Sequence, residues 1–134
     1  MSHIIKFNTS FQKQIGIASN SLECVSCARE IQLTVQDKNI STLCKTHVVA
    51  TNGLHMLVSG YAINSIIKNH NTNTIEVVAA TTKLLKDSSQ LIKKKQQQGI
   101  LSKFDYLQPL ISAIELGVKA INYYHSDKNI KTND

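Results

Sequence analysis

Four residues, Cys24, Cys27, Cys44 and His47, constrain the fold of this chain more than any other feature. They form two pairs of spacing x2 with sixteen residues between them, which gives the pattern C-x2-C-x16-C-x2-H. All three cysteines of the chain take part. Two ligands three positions apart can bend around one ion, and two such pairs complete a tetrahedron of thiolates and imidazole that suits zinc. The spacing therefore predicts a structural Zn²⁺ site with these four ligands.

The residues between the two pairs predict a β-hairpin. Residues 30–36 alternate polar and apolar side chains, as a half-buried strand does. Residues 37–39 supply turn chemistry, and residues 40–43 can return as the second strand. After His47 the apolar spacing becomes helical. The expected order is a zinc knuckle, a hairpin, and a helix whose first turn supplies the last two ligands.

This order resembles the treble-clef zinc finger, and the resemblance covers about residues 22–60. It implies metal ligands at Cys24, Cys27, Cys44 and His47. The superfamily is specific for a metal site and unspecific for function. A GATA-type finger is disfavoured because the chain has no Trp and a single Arg, Arg29.

Three other interpretations of the cysteines stay open. Cys24 and Cys27 can be ordinary buried thiols, since free cysteine is often a core residue. A disulfide is disfavoured by the odd number of cysteines. A thioredoxin-type redox pair leaves Cys44 and His47 unexplained and lacks a surrounding βαβ pattern.

Three helices are predicted after the finger. The first runs from Val48 to about Lys68, the second from a capping Thr74 to a stop at Gly99, and the third starts near Pro109. Apolar rows with steps of three and four follow the second and third helices. The 75–92 seam consists of Ile75, Val78, Thr82, Leu85, Ser89 and Ile92, and the 104–121 seam of Phe104, Leu107, Ile111, Ile114, Val118 and Ile121.

The predicted fold class is α+β and mostly α. A small treble-clef-like zinc knuckle with a β-hairpin precedes three long helices packed as an antiparallel bundle. We expect an N-terminal segment and finger over residues 1–47, a helical bundle continuous with it over 48–127, and a frayed tail over 128–134.

The formal charge of +6 comes from lysines, with one arginine. Six lysines are candidate nucleic-acid contacts, and a solvated charged face is the alternative interpretation. Lysine suits diffuse phosphate contact better than base readout, and the aromatic content of 5% offers no stacking platform. The six candidates are Lys45, Lys83, Lys86, Lys93, Lys94 and Lys95.

No recognised catalytic constellation occurs in the sequence. His55 is interpreted as structural, and Glu23 has no E-x-x-H partner. We therefore expect a non-enzymatic zinc-binding protein that acts as an interaction, adaptor or assembly module, meeting a protein partner or a second copy through its seams. The alternative is a basic nucleic-acid-binding regulatory protein. Thiolate ligands and the lack of a signal peptide or an apolar span predict the cytoplasm or nucleus and no membrane partner.

Overall fold

Four long helices form this chain, in a computed structural model that describes the backbone of residues 2–132 and the side chains of residues 10–125. Helix α1 spans Ser2–Gln36, α2 spans Thr42–Ile67, α3 spans Asn73–Gln98 and α4 spans Leu107–Thr132. A single 3-10 turn, Lys103–Tyr106, precedes α4.

The predicted zinc knuckle and β-hairpin are wrong. Residues 30–36 belong to α1, residues 42 and 43 open α2, and the described residues contain no β-strand. The alternation over 30–36 also fits a helix, because in α1 Thr34 is buried while Leu33 and Val35 face outward. The α+β, treble-clef-like fold is therefore replaced by an all-helical one.

The predicted turn at residues 37–39 and the predicted stop at Gly99 are confirmed, whereas the predicted cap at Thr74 is wrong because α3 begins at Asn73. The Asn39 N–H donates to Asp37 Oδ1 at 2.8 Å in the turn between α1 and α2. Ser41 then caps α2 by accepting the Cys44 N–H at 3.2 Å. Gly99 ends α3 with a φ of 80°, a conformation that glycine adopts without steric cost.

The three predicted helices correspond to α2, α3 and α4. Helix α2 begins at Thr42, so it crosses the expected boundary at residue 47. Helix α4 continues to Thr132 through most of the expected tail, and residues 133 and 134 lie outside the described range.

The helices pack in chain order, α1 on α2, α2 on α3 and α3 on α4. Side chains also bridge from α3 to α1, where Lys86 reaches Glu23 and Lys93 reaches Glu30. Helices α1, α2 and α3 therefore enclose a common interior, and α4 lies on the outer side of α3.

The interior between these three helices is mainly polar. Few apolar residues are buried there, and most of them are small. Ile40, Cys44 and Val48 form an apolar cluster at one end. Buried polar groups must bond to each other, because an unpaired one costs about 1–3 kcal/mol. The buried polar and charged side chains of these three helices are Thr34, Asn52, His55, Ser59, Ser65, Thr82, Asp87, Ser89 and Lys93, and Asp87 accepts a hydrogen bond from the buried Ser112 of α4.

We predict that Lys93→Ala destabilises the protein. Lys93 is 4% exposed, and its Nζ lies 2.5 Å from Glu30 Oε1 and 3.0 Å from Thr34 Oγ1. Removing the ammonium leaves a largely buried carboxylate without its partner, which should lower the free energy of unfolding by about 3 kcal/mol. Urea unfolding followed by circular dichroism measures this loss.

The control is Lys94→Ala, on the next residue of the same helix. Lys94 is 40% exposed in its pair with Asp105, at 3.6 Å, so solvent screens the contact. Little change is expected there. Equal losses in both variants would contradict the assignment of the loss to the buried pair, because alanine favours the helix at least as well as lysine.

Candidate functional site

A connected cluster of polar side chains fills the interior where α1, α2 and α3 meet. The members from α1 and those from α3 lie four residues apart, which places each pair on one face of its helix. Glu23 and Cys27 come from α1, His55 from α2, and Thr82 and Lys86 from α3. The cluster therefore depends on the packing of all three helices.

His55 lies at the centre of the cluster and is 2% exposed. Its Nδ1 is 2.7 Å from Thr82 Oγ1, and its Nε2 is 3.0 Å from Glu23 Oε2. The Thr82 hydroxyl also lies 3.0 Å from the Ala79 carbonyl oxygen. Because the hydroxyl has one proton, it either donates to Ala79 and accepts from His55 Nδ1–H, or donates to His55 Nδ1.

These two arrangements differ at the other ring nitrogen. When Thr82 donates to His55, Nε2–H donates to Glu23. When Thr82 donates to Ala79, a neutral His55 ring has its proton on Nδ1. Its Nε2 then presents a lone pair to the Glu23 carboxylate. A contact of 3.0 Å between two acceptors then requires a positive centre, a proton or a metal ion, between Nε2 and Oε2.

The Glu23 carboxylate forms ion pairs with the lysines of the cluster. Lys86 Nζ donates to its Oε2 at 3.0 Å, and Lys83 Nζ lies 3.9 Å from its Oε1. The hydrogen bond with His55 lowers the pKa of Glu23 most, and Lys86 adds to this against the opposing effect of burial. The resulting pKa is about 2, so the carboxylate stays ionised in acid.

Cys27 is fully buried beside Glu23, one helical turn further along α1. Burial raises the pKa of its thiol to about 11. The ligand atoms of Glu23, Cys27 and His55 all lie within 4.8 Å of one another. Carboxylate oxygen, sulfur and imidazole nitrogen are the three donor types that zinc takes in proteins.

The four ligands predicted from the sequence are distributed differently. Cys24 Sγ donates to the Met56 carbonyl at 3.6 Å, Cys44 packs in the apolar cluster, and His47 Nδ1 lies 2.7 Å from Ser89 Oγ. Among the described side chains, Glu23, Cys27 and His55 form the one group of at least three possible ligands. Of the predicted set, only Cys27 belongs to it.

Glu23 and His55 were missed from the sequence. Glu23 and Cys27 are one helical turn apart, so a helix over residues 22–36 would have placed Glu23 beside Cys27. His55 lies on another helix, so no sequence spacing brings it to them.

Four of the six candidate nucleic-acid contacts make ion pairs within the protein. Lys83 and Lys86 pair with Glu23, and Lys83 also pairs with Glu115 at 3.2 Å. Lys93 and Lys94 pair with Glu30 and Asp105, as described above. Lys45 is half-buried and Lys95 exposed. The lysines of α3 thus mostly form ion pairs that join α3 to neighbouring elements of the fold.

The 104–121 seam faces outward. All six of its members are exposed, the five on α4 by 46–59% of their surface. The 75–92 seam is divided, since Thr82 and Ser89 point into the polar interior while Val78, Leu85 and Ile92 are exposed. Both seams therefore leave apolar side chains outside the chain's own interior.

None of the described helices has the length and hydropathy needed to cross a membrane. Comparison with known proteins gives no match to a protein-family model, a curated protein or a solved structure.

We predict that Glu23→Gln changes how stability depends on pH. The lowered pKa of Glu23 stabilises the fold above its unfolded pKa of 4.5, and this contribution disappears as pH falls toward 2. In the presence of a chelator, wild type should exceed the variant by about 3 kcal/mol above about pH 5. Denaturant unfolding at a series of pH values measures the difference.

Glu76→Gln is the matched control, since Glu76 lies on the surface in a loose pair with Lys119 at 3.8 Å. Its difference from wild type should be small at every pH. A Glu23→Gln difference that stays constant down to pH 2 would contradict the prediction.

Proposed function

We propose that this protein is a non-catalytic assembly module that associates with a second copy of itself through the exposed face of α4. The single observation that carries the proposal is the outward-facing 104–121 seam. Contiguous exposed apolar surface on a folded domain is typical of an interaction site.

The spacing of the seam fits a helical partner. Leu107, Ile111, Ile114, Val118 and Ile121 follow one another at steps of four, three, four and three. This is the heptad pattern by which a helix packs along another helix with the same pattern. A like seam on a second copy supplies such a partner.

The charge of this face also favours a second copy. Between residues 107 and 125, α4 has one acidic and one strongly basic side chain, Glu115 and Lys119. Both turn toward α3, where they pair with Lys83 and Glu76. Over residues 107–125 the outer face thus has no carboxylate, lysine or arginine, which makes it complementary to itself and gives phosphate groups no lysine or arginine to contact.

We predict that replacing Ile114 and Val118 together by lysine separates the copies. Two ammonium groups would be buried in the centre of an apolar contact, at a cost of several kcal/mol each. Sedimentation velocity over the micromolar range should find wild type dimeric and the variant monomeric, with unchanged helical circular dichroism.

The control replaces Leu22 and Val25, 70% and 68% exposed on α1, by lysine. It adds the same charge on another surface and should leave the dimer intact. A wild type that is monomeric throughout overturns the proposal, as does equal dissociation of both variants. Duplex DNA and vesicles, added to separate samples, test whether nucleic acid or a membrane binds the outer face of α4 instead of a second copy. A monomer that binds either one also overturns the proposal.

A further inference from the structure

We infer that Glu23, Cys27 and His55 form a metal site that binds Zn²⁺ through one carboxylate oxygen, the thiolate sulfur and imidazole Nε2. This inference is independent of the proposed self-association. It assigns a ligand to the interior cluster, whereas the assembly surface is the outer face of α4.

The donor atoms lie at distances that one ion can bridge. In a tetrahedral zinc site, ligand bonds of about 2.0–2.3 Å place neighbouring donors about 3.2–3.8 Å apart. Glu23 Oε2 and His55 Nε2 are 3.0 Å apart, and one ligand atom from each of Glu23, Cys27 and His55 lies within 4.8 Å of the other two. Small side-chain rotations bring the three donors around one ion.

The surroundings of His55 select the nitrogen that would bind. Metal-ligating histidines usually donate their other ring N–H to an oxygen, which fixes the tautomer and the ring plane. Thr82 Oγ1 is placed to accept from Nδ1 at 2.7 Å, with its own proton directed to the Ala79 carbonyl. In this arrangement Nε2 presents its lone pair toward Glu23 and a metal ion.

Metal ions also have a route to the site. A cavity of about 330 Å³ adjoins the cluster and is lined by both Glu23 and His55. Its wall also includes Glu76 and Glu115, which are paired there with Lys119 and Lys83. With three protein ligands, the fourth position of a tetrahedral ion is left for water or another small ligand.

The Lys86 ammonium group competes with a metal ion for the Glu23 carboxylate. Its Nζ lies 3.0 Å from Glu23 Oε2, the oxygen that also faces His55. The four-carbon stem lets the ammonium swing away when a divalent ion binds. Removing this charge should therefore tighten metal binding by at least about tenfold, because a unit charge a few ångströms away opposes a divalent ion strongly.

The test titrates Co²⁺ into the full-length, reduced protein and follows the thiolate-to-cobalt charge-transfer band, with Zn²⁺ then added to displace it. Wild type should give the band with one ion per chain. Cys27→Ser should lose the band, His55→Gln should weaken binding by at least about tenfold, and Lys86→Gln should tighten it. Circular dichroism checks that each variant remains helical.

Cys44→Ser is the matched control, because Cys44 is buried beside Ile40 and Val48 and outside this cluster. It should keep the wild-type band and affinity. If wild type shows no band, if Cys27→Ser keeps it, or if Cys44→Ser loses it as Cys27→Ser does, the inference is overturned. Loss in both cysteine variants would instead favour the ligand set predicted from the sequence spacing.

Discussion

The contact between Glu23 and His55 is the interaction on which the rest of the interior depends. It joins α1 to α2 at 3.0 Å, and Thr82 and Lys86 extend it to α3. A polar interior gains little from burial alone, because each group gives up bonds to water. The three helices must therefore hold one particular register, in which the buried polar groups meet their partners, and Ser59 Oγ and Gln90 Oε1 are the exceptions among the described side chains. A hydrophobic core would tolerate several registers more easily.

The apolar side chains that a helical bundle usually buries lie on the outside of this one. The outer face of α4 and the exposed half of the 75–92 seam keep branched aliphatic side chains in contact with water. The hydrophobic effect favours removing them from water, whichever chain supplies the cover. Polar contacts would then specify how one chain folds, and apolar contacts would drive its association with another. The two roles are divided between the inside and the outside of the same helices.

Much of the helical architecture could be predicted from the sequence, since α2, α3 and α4 follow from apolar spacing, and the stop at Gly99 follows from its residue type. The first third could not. Cys24 and Cys27 fit a zinc knuckle, but a separation of three also fits two neighbouring positions on a helix, which is what α1 provides. Their pairing with Cys44 and His47 was a conclusion from spacing alone.

Spacing alone also does not predict which way the seams face or which residues form the interior cluster. Periodicity identifies a face of a helix, but it does not say whether that face meets its own chain or another. In α3 the face containing Thr82 and Ser89 turns inward, because both side chains find polar partners on α2, His55 and His47. His55 joins Glu23 and Cys27 only after α1 and α2 have packed, so the cluster is a property of the tertiary structure.

The packing of each helix on its predecessor in the chain has a kinetic consequence. Most contacts join segments that are close in sequence, and chains of such low contact order fold on the order of microseconds to milliseconds. A hairpin of α1 and α2 can assemble before α3 and α4 are in place, since domains form from the N-terminus during synthesis. Helix α4 would then dock after α3, the helix on which it packs.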